Sequence, residues 1–98
     1  MDPESKQFEE TLFKIGDVLF KQGRFAQATT AFEQLLSLDP AEEITTQTRL
    51  RIGAILQLNQ DYDSSIRYFE AVAQESRSPE FRLQARLSLI ESYEFMEQ

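Results

Sequence analysis

Cysteine, histidine and tryptophan are all absent from this 98-residue chain, and glycine and proline occur three times each. Without cysteine no disulfide staples the fold, and the redox compartment is left open. Without cysteine and histidine the common nucleophile–base pairs, most zinc sites and the physiological-pH switch are lost together. The three glycines, Gly16, Gly23 and Gly53, are isolated, so no glycine-rich loop is there to cradle a phosphate. Long apolar runs are also missing. None approaches the roughly 20 residues that a membrane-spanning helix needs. Met1-Asp2-Pro3-Glu4 has neither the basic nor the apolar segment of a secretory signal.

Positive charge is scarce: 10 basic against 17 acidic side chains leave a net charge of −7. Residues 1–38 carry four basic and six acidic groups, residues 39–77 four and seven, and residues 78–98 two and four. That even spread provides no basic stripe to neutralise successive phosphates, which argues against nucleic acid and anionic membranes as partners. The acidity reads as solubility rather than as steering of a basic partner. Carboxylates do adjoin, at Glu9-Glu10, Glu42-Glu43 and Asp61/Asp63, yet their spacing aims no two at a common cleft as a hydrolase requires. They read as solvated faces. Asp61-Tyr62-Asp63 lacks the later ligands and the turn glycine of a calcium loop. No catalysis, cofactor or metal is expected.

What is plentiful is aromatic surface. Eight Phe and three Tyr, each able to bury roughly 150–250 Å², supply a core for a single domain of this length. Sliding the chain by 37 positions places Asp2-Pro3 on Asp39-Pro40, Ile15-Gly16 on Ile52-Gly53, Phe25 on Tyr62 and Phe32-Glu33 on Phe69-Glu70. A second slide puts Arg49-Leu50 on Arg86-Leu87. The chain therefore holds two repeats, about 3–39 and 40–77, and a half repeat over 79–97 that serves as a cap or as a docking face for more chain.

Asp39-Pro40 and Ser78-Pro79 read as helix starts, a side-chain acceptor at the N-cap followed by proline at the first helical position. Asp2-Pro3 reads the same way. Gly23 and the equivalent Asn59-Gln60 mark tight turns inside the repeats. Apolar residues at three- and four-residue steps predict helices over about 3–22, 25–38, 40–59, 62–76 and 79–97. Their short linkers force neighbours to run antiparallel.

The first repeat reads Leu12-x2-Ile15-Gly16-x2-Leu19, then Ala28-x3-Phe32, then Pro40. It resembles the tetratricopeptide family, whose pattern is Trp-x2-Leu-Gly-x2-Tyr, Ala-x3-Phe, Pro. The second reads Arg49-x2-Ile52-Gly53-x2-Leu56 and Ser65-x3-Phe69, and the third keeps Leu89 and Tyr93, with Ile90 where a small residue is usual. The resemblance implies an all-α fold of antiparallel helix pairs, a right-handed α-solenoid of five helices. It also implies close helix crossings at Gly16, Ala28 and Gly53, with Phe32 and Phe69 filling the hollow beside them. The longer spacing looks like that of bacterial cell-envelope members of the family, and the location stays open between the cytoplasm and the bacterial periplasm or cell envelope.

Family resemblance implies a protein or peptide partner held on the concave face. The corresponding positions are Phe13, Asp17, Phe20 and Lys21, then Leu50, Ala54 and Gln57, then Leu87, Glu91 and Glu94. Phe13, Leu50 and Leu87 share one repeat position and form an expected apolar line, against the alternative that they enter the core. Phe13 and Asp17 stand where a carboxylate clamp would need Lys and Asn. Arg49, Arg82 and Arg86 are candidates for an acidic peptide, against the plainer reading of salt bridges to Glu42, Glu43, Glu75 or Glu80. The expected function is a scaffold or adaptor. Its rivals are a segment of a longer solenoid or a self-associating structural unit, and a small chaperone for a secreted or envelope protein.

Overall fold

The computed structural model describes residues 3–97. It consists of five α-helices: α1 (Pro3–Lys21), α2 (Phe25–Ser37), α3 (Glu42–Leu58), α4 (Tyr62–Glu75) and α5 (Pro79–Met96). No strand occurs among the described residues. The helices fall into two compact units, Met1–Thr48 and Arg49–Gln98, with the division inside α3.

In the first unit α1 packs on α2. Phe20 meets Phe25 with ring centroids 5.7 Å apart, and Phe13 meets Phe32 at 5.8 Å. Late residues of α1 thus contact early residues of α2, so the pair is antiparallel. Leu12, Ala31 and Leu35 form the buried centre, with Phe13 and Ile44 packed against it. A Cβ on Gly16 would stand 2.7 Å from Cδ1 and 2.9 Å from Cζ of Phe32, nearer than such atoms approach. The crossing is therefore closed to any side chain at position 16.

The second unit repeats the device. A Cβ on Gly53 would lie 2.6 Å from Cε1 of Phe69. Leu50, Phe69, Val72 and Ala85 are buried together, with Ala73, Phe81 and Leu89 against them. Tyr62 stacks on Phe95 at 5.5 Å, and Ser65 lies beside Ser92 at 3.3 Å, so α4 and α5 are antiparallel too. Ser65 holds the place that Ala28 holds in the first repeat. Its buried hydroxyl is satisfied locally by the Tyr62 carbonyl at 2.9 Å.

Helix punctuation differs from the expectation at one of its sites. Ser78 does cap α5, its hydroxyl accepting from the Phe81 N–H at 3.3 Å with Pro79 in the first turn. Asp39-Pro40, by contrast, does not start α3. Asp39 has φ of +51° and its N–H donates to the Leu36 carbonyl at 3.1 Å. It ends α2 in the left-handed conformation that polar residues tolerate after a helix. The next helix begins two residues beyond Pro40, where Thr45 Oγ1 donates to the Pro40 carbonyl at 3.2 Å. Asp61 caps α4 instead, accepting from the Ser64 N–H at 3.4 Å. The cap expected at Asp2 lies outside the described residues.

Both intra-repeat turns need a left-handed residue. Gly23 supplies it with φ +76°, and Gln60, the residue 37 positions on, with φ +65°. Gln60→Gly is therefore expected to stabilise the fold by about 0.5–1 kcal/mol, because the left-handed penalty of a side chain exceeds the entropic cost of glycine. Gly16→Leu, Gly53→Ala and Ala28→Leu should each cost about 1–3 kcal/mol through overpacking. Phe32→Ala should cost about 3–5 kcal/mol. Urea unfolding of each variant checks these values; equal midpoints throughout would refute the glycine–phenylalanine crossing.

Candidate interaction surface

The expected groove residues have unlike environments. Phe13 is half-buried and tilted onto Phe32. Phe20 is half-buried edge-on to Phe25. The largely buried Asp17 carboxylate is paired with exposed Lys21 at 3.1 Å, one helical turn on. These contacts tie the four residues to their own helix pair.

Leu50 requires a correction to the expected apolar line. It is 4% exposed and sits against Phe69, Val72 and Ala85. The reason is α5, whose Phe81, Ala85 and Leu89 complete the packing around it. Ala54 is half-buried, as is Gln57, whose amide donates to the Ser92 hydroxyl at 3.2 Å. Ser92 in turn adjoins Ser65, so Gln57 belongs to an internal polar chain of the second unit. Leu87 is exposed at 54%, with Glu91 and Glu94 also in solvent. One repeat position thus carries a half-buried, a buried and an exposed side chain.

The arginines divide similarly. Arg49 pairs with Glu75 at 2.5 Å. Arg82 donates to the Ser76 carbonyl at 2.9 Å, which closes the turn between α4 and α5. Arg86 is exposed. Two of the three are therefore engaged within their own unit, as the salt-bridge reading anticipated for Arg49.

Leu87 apart, surface outside the expected groove is more apolar than the groove itself. On α5, Leu83, Leu87 and Ile90 follow the i, i+4, i+7 spacing of one helix face, and all three are more than half exposed. On α1, Phe8, Ile15 and Val18 are about half exposed. Thr11, Lys14, Ile15, Val18 and Leu19 line a shallow cleft of about 320 Å³ there. The signal was available. Apolar residues surround most of α1 and α5, which is more than a single buried stripe uses. Exposed apolar faces of this kind mark sites for another chain.

A second surprise is Glu9. Instead of a solvated face, it occupies the α2-facing stripe of α1 with Leu12 and Gly16, and is 5% exposed. Glu10 beside it is exposed as expected. Among the described residues, no group of three or more acidic, histidine or cysteine side chains is placed to hold a metal. Among the same residues no helix is long and apolar enough to cross a membrane.

Residues 9–42 match the family model of the tetratricopeptide repeat. The matched segment takes in most of α1, all of α2 and the turn up to α3. No solved structure matches the chain.

Leu50 and Leu87 separate core from surface at one repeat position. Leu50→Ala should destabilise by about 2–5 kcal/mol, and Leu87→Ala by no more than about 0.5 kcal/mol. Thermal melts of the two variants read the contrast directly, and equal losses would mean that Leu87 is packed.

Proposed function

We propose that this chain, a tetratricopeptide-repeat protein over residues 9–42, is an interaction module that catalyses nothing and takes up an apolar helix or extended segment of a partner protein. The family generally mediates protein–protein interaction, and nothing in the side-chain chemistry asks for more. The observation that carries the reading is the α5 face of Leu83, Leu87 and Ile90. A solvated face of a small helical protein has no folding reason to carry three aligned branched apolar residues. A helix laid along it would meet anchors one turn apart, the spacing at which helix-in-groove recognition works. Of the apolar groove positions, Leu87 is the most exposed. Phe13, Phe20, Asp17 and Lys21 act there as the shaped wall of their own unit.

A self-associating unit is the second reading, and the α1 face of Phe8, Ile15 and Val18 favours it. Two different apolar faces on one chain suit head-to-tail contact between copies. Light scattering across a concentration series distinguishes the two. A constant monomer mass supports the adaptor; a rising mass that Val18→Asp abolishes supports the repeat array.

The adaptor reading makes a definite demand on mutants. Leu87→Ser and Ile90→Ser should each weaken partner capture by about 1 kcal/mol or more, as interface anchors do, while the melting midpoint stays within a few degrees. Pull-down from native cells beside thermal melts of the same variants provides both numbers. Undiminished capture by the double variant would remove α5 as the binding face.

A further inference from the structure

The strongest unexplained chemistry in the molecule is the Glu9 carboxylate. Among the described residues its Oε1 is the one buried side-chain polar atom without a hydrogen-bond partner. Burying an ionisable oxygen unpaired is costly, and native proteins rarely accept it without a reason. Glu9 lines an open cleft of about 440 Å³ together with Glu4, Ser5, Phe8 and Leu38. That volume lies within the range of side-chain and small-ligand pockets, roughly 300–1,000 Å³.

The lining specifies an occupant. A carboxylate short of a donor calls for a donor, and Glu4 at the same cleft adds negative charge that selects a cation. Leu38 is the C-cap of α2, so the negative end of that helix dipole also faces the cleft. Phe8 and Leu38, 53% and 44% exposed, supply apolar surface for the stem of a long side chain. An arginine suits this set better than a lysine. Its guanidinium is more weakly hydrated, stacks on an aromatic face and presents several donors in a plane.

We infer that the cleft between the start of α1 and the end of α2 receives an arginine side chain of a partner protein, with Glu9 as its counter-ion and Phe8 as its stacking surface. This site lies in the first unit and uses charge, whereas the α5 face lies in the second and uses apolar contact, so either can fail alone.

The test uses N-acetyl-arginine methylamide as the probe, titrated into the ¹⁵N-labelled whole chain. The citrulline analogue serves as its uncharged isostere and the lysine analogue as a second cation. Saturable shifts of the Ser5, Phe8, Glu9 and Leu38 amides are expected with arginine and not with citrulline. Glu9→Gln should weaken the arginine response at least about fivefold, since a charge-assisted pair becomes a neutral one. Glu10→Gln, at the exposed neighbour, should leave it intact. Glu9→Leu should abolish the response and raise the melting midpoint, which shows that loss of binding is not loss of fold. Citrulline shifts equal to those of arginine would overturn the site. So would lysine binding as well as arginine, an arginine response untouched by Glu9→Gln, or a Glu9→Leu variant that melts earlier than the parent.

Discussion

A phenylalanine ring lying where a glycine has no side chain is the contact on which both units depend. Phe32 over Gly16 and Phe69 over Gly53 bring two helix backbones closer than any Cβ would permit. The rings are wholly buried, at 0% and 1% exposure. Dispersion and apolar burial are therefore concentrated at one point in each unit. Around that point the neighbouring positions have little freedom. Ala28 and Ser65, 37 positions apart and both fully buried, must be small for the ring to seat. The second contact lies outside the segment that matches the family model, yet it repeats the first atom for atom. The repetition is thus a matter of packing and not of residue likeness alone.

Helix existence was legible in the sequence because burial of a stripe leaves a three- and four-residue rhythm that no local accident disguises. All five helices stand within two residues of the expected bounds. Capping was harder to read. Asp39-Pro40 and Ser78-Pro79 look alike as dipeptides, but backbone dihedrals decide which of them begins a helix. Asp39 goes left-handed to satisfy the end of α2, whereas Ser78 stays extended at φ −86° and ψ 120° and presents its hydroxyl to α5. Nothing in the two residues themselves contains that distinction. It depends on how the preceding helix exhausts its carbonyl acceptors.

The candidate site was less legible, and the reason is physical. A repeat position describes a direction from a helix axis, but exposure depends on what lies in that direction. Phe13, Leu50 and Leu87 share the direction and differ in cover. α5 supplies Phe81 and Leu89 above Leu50, while Leu87 on α5 itself lies 54% exposed. Glu9 illustrates the same point from the polar side. As one of two adjacent glutamates it looked solvated, but its steps of three and seven to Leu12 and Gly16 put it on the buried stripe. Periodicity ought to outrank residue type when the two disagree, because the helix turns its faces without regard to their chemistry.

The two units reach the same architecture with different interiors, and that difference bears on function. The first is apolar at its crossing and keeps one buried carboxylate oxygen unpaired. The second carries a satisfied polar chain, from Gln57 through Ser92 and Ser65 to the Tyr62 carbonyl. A satisfied chain fixes the register of α3, α4 and α5 without inviting a ligand, since each hydroxyl already has its partner. An unsatisfied oxygen does the reverse: it holds back stability that an incoming donor restores. On the second unit the unspent potential is apolar and lies outside, along Leu83, Leu87 and Ile90. The first unit therefore leaves a carboxylate oxygen unpaired and the α1 face of Phe8, Ile15 and Val18 exposed, and the second leaves the apolar α5 face. Under the proposals made above, an arginine would answer the carboxylate and an apolar stripe the α5 face, and each is a separate criterion that tells a partner from proteins lacking it.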